Sequence, residues 1–316
     1  MKKYSVGIDL GGTRVKLGLV AEGNIISQKI IPANSANGLH INLPTLQKEI
    51  NNLLFSNNIN ESNLNGIALA FPGLVDPVSN KILSTNQKYD DAISVDMHAW
   101  VKQNWHTNFY MDNDARMAAV GEWKFGEGKD TDNLVVMTIG TGIGTSAIIE
   151  GKLLRGKHFQ AGVLGGHMSV KYNGRTCNCG NIGCAEAYGS SWSLKERLMG
   201  SKELEESVLA KNDVHDFANL FFAAKNNDIL AFRLRQEYLD VWSATIINLI
   251  HAYDPEIVVL GGGVMNSGED IIPYISSKVK AHAWTPWGNV KIKASKLLND
   301  AGILGVVYCL ENKMQD

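Results

Sequence analysis

The chain is short of both cysteine and net charge. Four cysteines in 316 residues are too few for a disulfide framework in a chain of this length. Thirty Lys and Arg against 32 Asp and Glu leave a formal net charge of -2, so no overall positive field attracts nucleic acid backbones. A small net charge together with 45% hydrophobic residues also excludes a mainly disordered chain.

A long uninterrupted hydrophobic run is missing as well. The longest apolar stretch, residues 134–149, is broken by glycine, threonine and serine, and it falls short of the ~20 predominantly apolar residues of a spanning helix. Met1-Lys2-Lys3 leads directly into a strand-like run, without the apolar core and cleavage site of a signal peptide. We therefore expect a cytoplasmic protein that does not interact with membranes.

The composition that is present is typical of a globular protein with a sizeable core. At roughly 100–200 residues per domain, a chain of 316 residues indicates two domains or one large one. Thirty-one glycines indicate many tight turns or close approaches of the backbone to a ligand.

Predicted strands and helices alternate in both halves of the chain. In the first half we predict strands over residues 4–10, 15–20, 25–31, 67–71 and 109–112. We predict helices over 43–54 and 115–124 and a loop over 56–65. In the second half we predict strands over residues 134–139, 145–150, 257–260 and 290–294. We predict helices over 271–279 and 301–310, and residues 191–253 should be nearly all helical. This alternation favours α/β layers.

Glycine-rich turns follow three of the predicted strands. They are Asp9-Leu10-Gly11-Gly12-Thr13, Gly140-Thr141-Gly142 and Gly261-Gly262-Gly263. Glycines let the backbone turn sharply and point its N–H groups at an anion, and a threonine adds a hydroxyl donor. The Asp9 carboxylate is a hard oxygen ligand that suits Mg²⁺. Each turn alone also fits an ordinary hairpin, but three in one chain favour phosphate binding.

The order of these turns resembles the ATPase fold shared by actin, hexokinase and the heat-shock chaperones. It is most similar to the ROK family of bacterial sugar kinases and repressors, over essentially the whole chain from Asp9 to the Asp300-Ala301-Gly302 segment. The resemblance implies Mg²⁺ and ATP as ligands. It implies that Gly11, Gly12 and Thr13 form one phosphate loop and that Gly140, Thr141 and Gly142 form the other. It places Gly261 and Gly262 in the adenosine pocket.

The same resemblance implies the architecture: an α/β, two-lobed, actin-like ATPase fold of the ribonuclease H-like type. A smaller N-terminal lobe would comprise residues 1–114 and would be joined by a C-terminal helix at 301–316. A larger lobe over 115–300 would carry a zinc knuckle and the adenosine pocket. Relatives are commonly homodimers or homotetramers, and we expect a homo-oligomer here.

His167, Cys177, Cys179 and Cys184 form a dense motif in the second half. Three thiolates and one imidazole complete the tetrahedral ligand set of a structural Zn²⁺. Buried free thiols are the alternative, but a set that closes at four ligands favours zinc. The segment through Glu186 resembles the ROK signature, which implies that zinc fixes a loop whose His167 and Glu186 face the sugar.

Asp114, which follows Asn113 at the start of a predicted helix, is the candidate catalytic residue. A carboxylate within hydrogen-bond reach of a sugar hydroxyl can accept its proton as the bond to the γ-phosphorus forms. Position alone favours a helix cap. The resemblance reverses that preference, because ROK sugar kinases carry an Asn-Asp pair here with the Asp as base. It also implies that Asn113, Gly73 and Asn86 contact the sugar.

Leu164 departs from the family pattern. ROK glucokinases carry Glu-x-Gly-His before the zinc knuckle, where the Glu contacts a sugar hydroxyl, and a gapless reading places Leu164 there. Leucine offers no hydrogen bond, and a buried unpaired hydroxyl costs about 1–3 kcal/mol. The resemblance thus implies kinase machinery directed at an altered hexose or hexose derivative rather than at plain glucose.

These observations predict an ATP-dependent carbohydrate kinase whose partner is a small-molecule sugar and not a nucleic acid. A repressor of the same family would need a helix-turn-helix segment ahead of Asp9, and only eight residues precede it. A sugar-binding sensor or regulator without kinase activity is the alternative. The presence of Asp114 and of both phosphate turns argues against it.

Overall fold

The structure is a computed structural model that describes residues 3–85, 87–211 and 216–314. The chain folds into two compact units made of discontinuous segments. Unit 1 comprises Met1–Asp130, Leu153–Ala161 and Asn299–Asp316, and unit 2 comprises Thr131–Lys152 and Gly162–Leu298.

The core of unit 1 is a five-stranded sheet. The strands of the unit are β1 (Tyr4–Leu10), β2 (Arg14–Ala21), β3 (Asn24–Pro32), β4 (Leu64–Phe71), β5 (Gly73–Asp76), β6 (Lys81–Thr85) and β7 (Asn108–Asn113). The sheet order is β3-β2-β1-β4-β7, in which β1 to β3 form an antiparallel meander and β1, β4 and β7 run parallel. The central strands β1 and β4 are almost entirely buried, which explains their nearly continuous apolar sequences. Strands β5 and β6 form a separate hairpin.

The helices of unit 1 are α1 (Leu39–Ser56), α2 (Met97–Trp105), α3 (Asp114–Phe125) and the C-terminal helix Ala301–Asn312. Helix α3 packs closely along the C-terminal helix, because glycines line the contact. A Cβ on Gly305 would lie 1.8 Å from the Met117 carbonyl oxygen, and one on Gly121 would lie 2.1 Å from that of Ala301. Through this contact α3 belongs to unit 1, so unit 1 extends beyond residue 114. The lobe boundary at residue 114 stays a prediction.

Unit 2 repeats the strand order of unit 1. Its strands are β8 (Leu134–Ile139), β9 (Ile143–Ile149), β10 (Lys152–Leu153), β11 (Ile257–Gly261) and β12 (Lys291–Ala294). They form a sheet in the order β10-β9-β8-β11-β12, with β8 antiparallel to β9 and parallel to β11. In both units, therefore, the first strand of an antiparallel hairpin is followed in the sheet by two strands parallel to it.

Unit 2 also contains five α-helices among the described residues. They are α4 (Glu186–Gly189), α5 (Ser191–Met199), α6 (Phe217–Lys225), α7 (Ile229–Tyr253) and α8 (Gly268–His282), so that the C-terminal helix of unit 1 is α9. Trp242, on the buried stripe of α7, donates its indole N–H to the Gly189 carbonyl (2.8 Å). Across the three described ranges, no helix combines the length and the apolar character that a bilayer crossing requires.

Two predictions from local pattern differ from the structure. The asparagine-rich residues 56–65 are not simply a loop, because α1 ends at Ser56, a 3-10 helix spans Glu61–Asn63 and β4 begins at Leu64. The hairpin of β5 and β6 and helix α2 were not predicted at all. Asp96 caps α2 by accepting a hydrogen bond from the Ala99 N–H (2.9 Å), so an N-cap signal for α2 was present in the sequence.

The parallel strands determine where the predicted site residues lie. Strands β1, β4 and β7 end at the same edge of their sheet, where a parallel arrangement places ligand-binding loops. The chain leaves them at Gly11, Pro72 and Asp114. In unit 2, β8 and β11 likewise end together, at Gly140 and Gly262.

Candidate functional site

Asp114 lies at the junction of β7 and α3. Its Oδ1 accepts hydrogen bonds from the Ala115 backbone N–H (2.8 Å) and from Asn113 Nδ2 (3.0 Å). No described residue donates to Oδ2. Burial raises the pKa of Asp114 to about 6, opposed by the Lys88 ammonium and reinforced by the Asp9 carboxylate. Asp114 therefore has one free carboxylate oxygen and a pKa close to neutrality, which are the properties of a general base.

Asn113 orients Asp114 and connects it to the β5–β6 hairpin. Its Oδ1 caps α3 by accepting from the Arg116 N–H (3.1 Å), while Nδ2 donates both to Asp114 Oδ1 and to the Gly73 carbonyl (3.0 Å). A Cβ on Gly73 would lie 2.3 Å from the Ser84 carbonyl oxygen, so this close approach requires glycine. Both amide hydrogens of Asn113 are thus already used within the protein.

A buried ion cluster lies behind Asn113. Asp112, with 0% of its surface exposed, accepts hydrogen bonds at Oδ1 from the Asn113 N–H (2.7 Å) and Arg116 Nη1 (3.1 Å). Its Oδ2 accepts from Arg155 Nη2 (3.2 Å) and the Tyr110 hydroxyl (3.2 Å). These donors satisfy both oxygens of the buried carboxylate, and two arginines supply its counter-charge. The cluster fixes the end of β7, and with it the position from which Asp114 projects.

The first glycine-rich turn, Gly11–Thr13, joins β1 to β2. The Gly11 N–H donates to the Arg14 carbonyl (3.0 Å), and a Cβ on Gly11 would lie 2.7 Å from that same oxygen. Thr13 is exposed and free to meet a ligand. Asp9, two residues before the turn, forms an ion pair across the hairpin with Lys16 (Oδ2 to Nζ, 3.0 Å). The turn therefore places a carboxylate, a hydroxyl and backbone N–H groups at one end of unit 1.

The second turn, Gly140–Gly142, joins β8 to β9 and leaves Gly140 and Thr141 exposed. Glu186 lies behind this turn: its Oε2 accepts from the Ile143 N–H (2.8 Å), and a Cβ on Gly142 would lie 2.4 Å from that oxygen. Glu186 is 4% exposed. Oε2 of Glu186, a predicted sugar-binding residue, is thus hydrogen-bonded to the second turn. Its other oxygen, Oε1, accepts a long hydrogen bond from Trp192 Nε1 (3.4 Å).

The third turn begins beside the second. In the parallel pairing of β11 with β8, Gly261 lies opposite Thr138. Gly262 has φ +90°, and a Cβ there would lie 2.2 Å from the Ile139 carbonyl oxygen. Only glycine fits this conformation and this close approach. The two glycines predicted for the adenosine pocket therefore lie at the same sheet edge as Gly140.

His167, Cys177, Cys179 and Cys184 come together in unit 2, with their ligand atoms all within 4.8 Å of one another. The Cys179 and Cys184 sulfurs are 3.7 Å apart, and Cys177 Sγ is 3.6 Å from His167 Nδ1. Two thiolates on a tetrahedral zinc, at about 2.3 Å each, are separated by about 3.8 Å, whereas a disulfide needs about 2.05 Å. The cluster has the composition and the spacing of a closed structural zinc site.

The orientation of His167 leaves its second ring nitrogen available. Nδ1 faces the cysteine cluster, and Nε2 lies on the other side of the ring. His167 ends the 3-10 helix Gly165–His167, whose first residue follows Leu164, and Leu164 is 40% exposed. Asn86, the remaining predicted sugar contact, lies outside the described residues.

Three charged residues of the site were missed by the sequence reasoning. Lys16 had a signal, because a hairpin that turns at residues 11–13 pairs it with Asp9. Arg155 and Lys88 had none. Each is brought to the site by contacts between segments distant in sequence.

The chain was compared with known proteins. The pattern of the ROK family matches residues 5–313. The glucokinase of Thermotoga maritima is 31% identical over 316 residues, which cover 98% of each chain. The xylose repressor of Bacillus subtilis is 28% identical over 96% of this chain and 76% of its own length. The crystal structure of a ROK family glucokinase from Streptomyces griseus, in complex with glucose and AMPPNP, has a TM-score of 0.81 at 25% identity and covers 98% of this chain and 99% of its own.

These matches confirm the resemblance and the fold class predicted from the glycine-rich turns. The fold is the α/β fold of the ROK family, which is similar to the actin-like ATPases, and its Cys3His cluster is compatible with a zinc site. Both kinases and repressors occur among the relatives, so activity has to be argued from the site. The family match spans nearly the whole described chain, and this protein is a member of the ROK family.

Proposed function

We propose that this protein catalyses the ATP-dependent phosphorylation of a hydroxyl group on a hexose or hexose derivative, with Asp114 as the general base. The observation that carries the proposal is the state of Asp114. Its Oδ1 is held by two hydrogen bonds, its Oδ2 is open, and its pKa of about 6 leaves it mostly ionised at neutral pH. Kinase relatives across the full length of the chain support the same reaction.

In the proposed reaction, the sugar hydroxyl donates its proton to Asp114 Oδ2. The hydroxyl oxygen bonds to the γ-phosphorus as the bond from that phosphorus to the β–γ bridging oxygen breaks. ADP leaves with the electron pair of the broken phosphorus–oxygen bond. Asn113 keeps Asp114 Oδ1 occupied throughout, so that the proton has a single destination.

We assign phosphate binding to the backbone N–H groups and hydroxyls of the Gly11–Thr13 and Gly140–Gly142 turns, and adenosine binding to Gly261 and Gly262. Asp9 is the proposed contact of Mg²⁺, which would neutralise charge on the phosphates. Lys16 already occupies Asp9 Oδ2, so Oδ1 is the oxygen available to the ion or to its water shell. Cytoplasmic ATP would be the phosphoryl donor.

On the sugar side, we assign contacts to His167 Nε2, Glu186 Oε1, Asn113 Oδ1 and the backbone at Gly73. His167 Nε2 makes no hydrogen bond with the residues that the structure describes. Glu186 Oε1, Asn113 Oδ1 and the Gly73 carbonyl each accept one hydrogen bond within the protein, and each oxygen has a second lone pair for a sugar hydroxyl. Leu164 lies one turn before His167, whose N–H donates to the Leu164 carbonyl (2.9 Å). An exposed leucine at this point favours a hexose that carries an apolar substituent or lacks a hydroxyl there. The proposed zinc is structural, because all four ligands come from the protein.

The test is ADP release from MgATP against a panel of sugars: glucose, mannose, their N-acetylamino forms, fructose, allose and several β-glucosides. We expect turnover of one sugar or a few related ones, and its loss in Asp114→Asn. Glucose as the best substrate would overturn the inference from Leu164 but would leave the kinase standing. No turnover on any sugar, with ATP and sugar still bound, would replace the proposal with the second candidate.

That second candidate is a ROK-type sugar sensor or regulator without kinase activity. The observation in its favour is the full-length similarity of this chain to part of a xylose repressor. It predicts sugar binding, which calorimetry would measure, without release of ADP from MgATP on any sugar of the panel.

A further inference from the structure

Lys88 lies against the first glycine-rich turn although 75 residues separate it from Thr13 in the chain. A Cβ on Gly12 would come within 2.8 Å of Lys88 Cε and 3.4 Å of Lys88 Nζ. The end of the Lys88 side chain, with Cε in closest approach, therefore occupies the space that a side chain at position 12 would enter. Glycine at this position lets the cation approach the turn.

The neighbour of Lys88 is rigidly anchored. Tyr89 is 0% exposed, its hydroxyl donates to the Gly11 carbonyl (3.1 Å) and its N–H donates to the Ser35 carbonyl (3.0 Å). Ser35 in turn donates its hydroxyl to the Gly12 carbonyl (2.8 Å). Tyr89 also has φ +55°, a conformation that a bulky residue adopts only where its surroundings impose it. These contacts attach the backbone beside Lys88 to the turn itself.

Lys88 has no ion-pair partner among the residues that the structure describes. Its ammonium makes no hydrogen bond with them either. The nearest carboxylate of the turn, Asp9, is paired with Lys16 instead. Lys88 acts electrostatically on Asp114, whose pKa it lowers. A partly buried cation, unpaired among the described residues, thus lies against a phosphate-type turn and within electrostatic range of the proposed base.

We infer that Lys88 binds the γ-phosphoryl group of the nucleoside triphosphate and neutralises its non-bridging oxygens during transfer. This inference rests on the proposed function of the same site. An ammonium in this place favours the triphosphate over the diphosphate, because only the triphosphate presents a group between the turn and Asp114. It also supplies the charge stabilisation that phosphoryl transfer requires of its surroundings.

The first test is nucleotide binding, measured by calorimetry with MgATP and MgADP. Lys88→Met removes the charge and keeps the length of the side chain, Lys88→Arg keeps the charge, and Lys48→Met on the exposed face of α1 is the matched control. We expect Lys88→Met to weaken ATP binding by about tenfold or more and to leave ADP binding almost unchanged. Equal losses for both nucleotides, or none, would overturn the assignment, and this holds even if no sugar is phosphorylated.

The second test is kinetic and uses whichever sugar the wild-type protein phosphorylates. In Lys88→Met we expect kcat to fall by about 10²–10³-fold and the acid limb of the pH–rate profile to move to higher pH. A lysine with a merely structural role would not move that limb. Lys88→Arg should recover most of kcat. If Lys88→Met instead raises only the KM of the sugar, the cation recognises the acceptor, and the assignment to the phosphoryl group is wrong. Absence of turnover in the wild type would refute the proposed function and would leave the nucleotide test to decide on Lys88.

Discussion

Replacing Asp114 with asparagine should abolish phosphorylation and yet not destabilise the protein at neutral pH. Asparagine can keep the two hydrogen bonds that Asp114 Oδ1 accepts, but it cannot take a proton. Because a positioned general base contributes typically 10²–10⁴-fold, we expect kcat to fall by about that factor. Sugar and nucleotide affinities should change little.

The stability effect follows from the pKa of Asp114. In the folded protein it is about 6, above the ordinary value of 3.8, so the folded state holds this proton more tightly than the unfolded chain does. The contribution of Asp114 to stability is therefore least favourable above pH 6 and improves as the pH falls towards 4. Asp114→Asn should melt at or above the wild-type temperature at pH 7, and this advantage should disappear at pH 4.

The same pKa determines the acid limb of the reaction. If the ionised form is the active one, kcat/KM should be half-maximal near pH 6 and fall about tenfold for each further unit of pH. Thermal melts at pH 4 and 7 and a pH–rate profile measure both effects, with Asp130→Asn, an exposed position of unit 1, as the matched control. A variant equally destabilised at both pH values, or a rate that is constant down to pH 4.5, would refute the reasoning.

Three other residues give sharp expectations. Asp112→Asn leaves two buried arginines without their counter-ion, so it should lower the free energy of unfolding by about 3–5 kcal/mol; urea denaturation measures this, and a loss under about 1 kcal/mol would contradict it. Cys177→Ser should abolish binding of one Zn²⁺ per chain and lower the melting temperature, whereas Cys309→Ser, which lies outside the cluster, should retain the metal as judged by native mass spectrometry. Gly142→Ala places a methyl carbon 2.4 Å from Glu186 Oε2 and should weaken MgATP binding by about tenfold, and unchanged affinity would show that the turn does not hold phosphate.

Much of the architecture could be predicted because it is encoded locally. Strands such as β1, β8 and β11 are short apolar runs bounded by glycine at their C-terminal ends, and their bounds agree with the prediction to within a residue. The amphipathic stripe of α7 is likewise visible as a 3.6-residue period. The loop predicted over residues 56–65 is too long, because an asparagine-rich segment carries only a weak local signal. Packing against the sheet extends α1 and β4 into this segment.

The candidate site was predictable only in part. The zinc ligands could be found because Cys177, Cys179 and Cys184 are close together in sequence, and only His167 had to be brought in from ten residues away. The role of Glu186 was less accessible. Its carboxylate lies behind the Gly140–Gly142 turn, and no sequence spacing relates a residue on α4 to a turn 44 residues earlier.

The sequence by itself determined which residue types are available: the three glycine-rich turns, the Cys3His set and an aspartate at the start of a helix. Tertiary structure alone decided which of them meet. Parallel pairing of β1, β4 and β7 brings Gly11, Gly73 and Asp114 to one sheet edge, and long-range contacts add Lys88 and Arg155. The physical reason is that local conformation depends on neighbouring residues, whereas the pKa of Asp114 and the ion pairing of Lys88 depend on burial and on charges that only folding brings close.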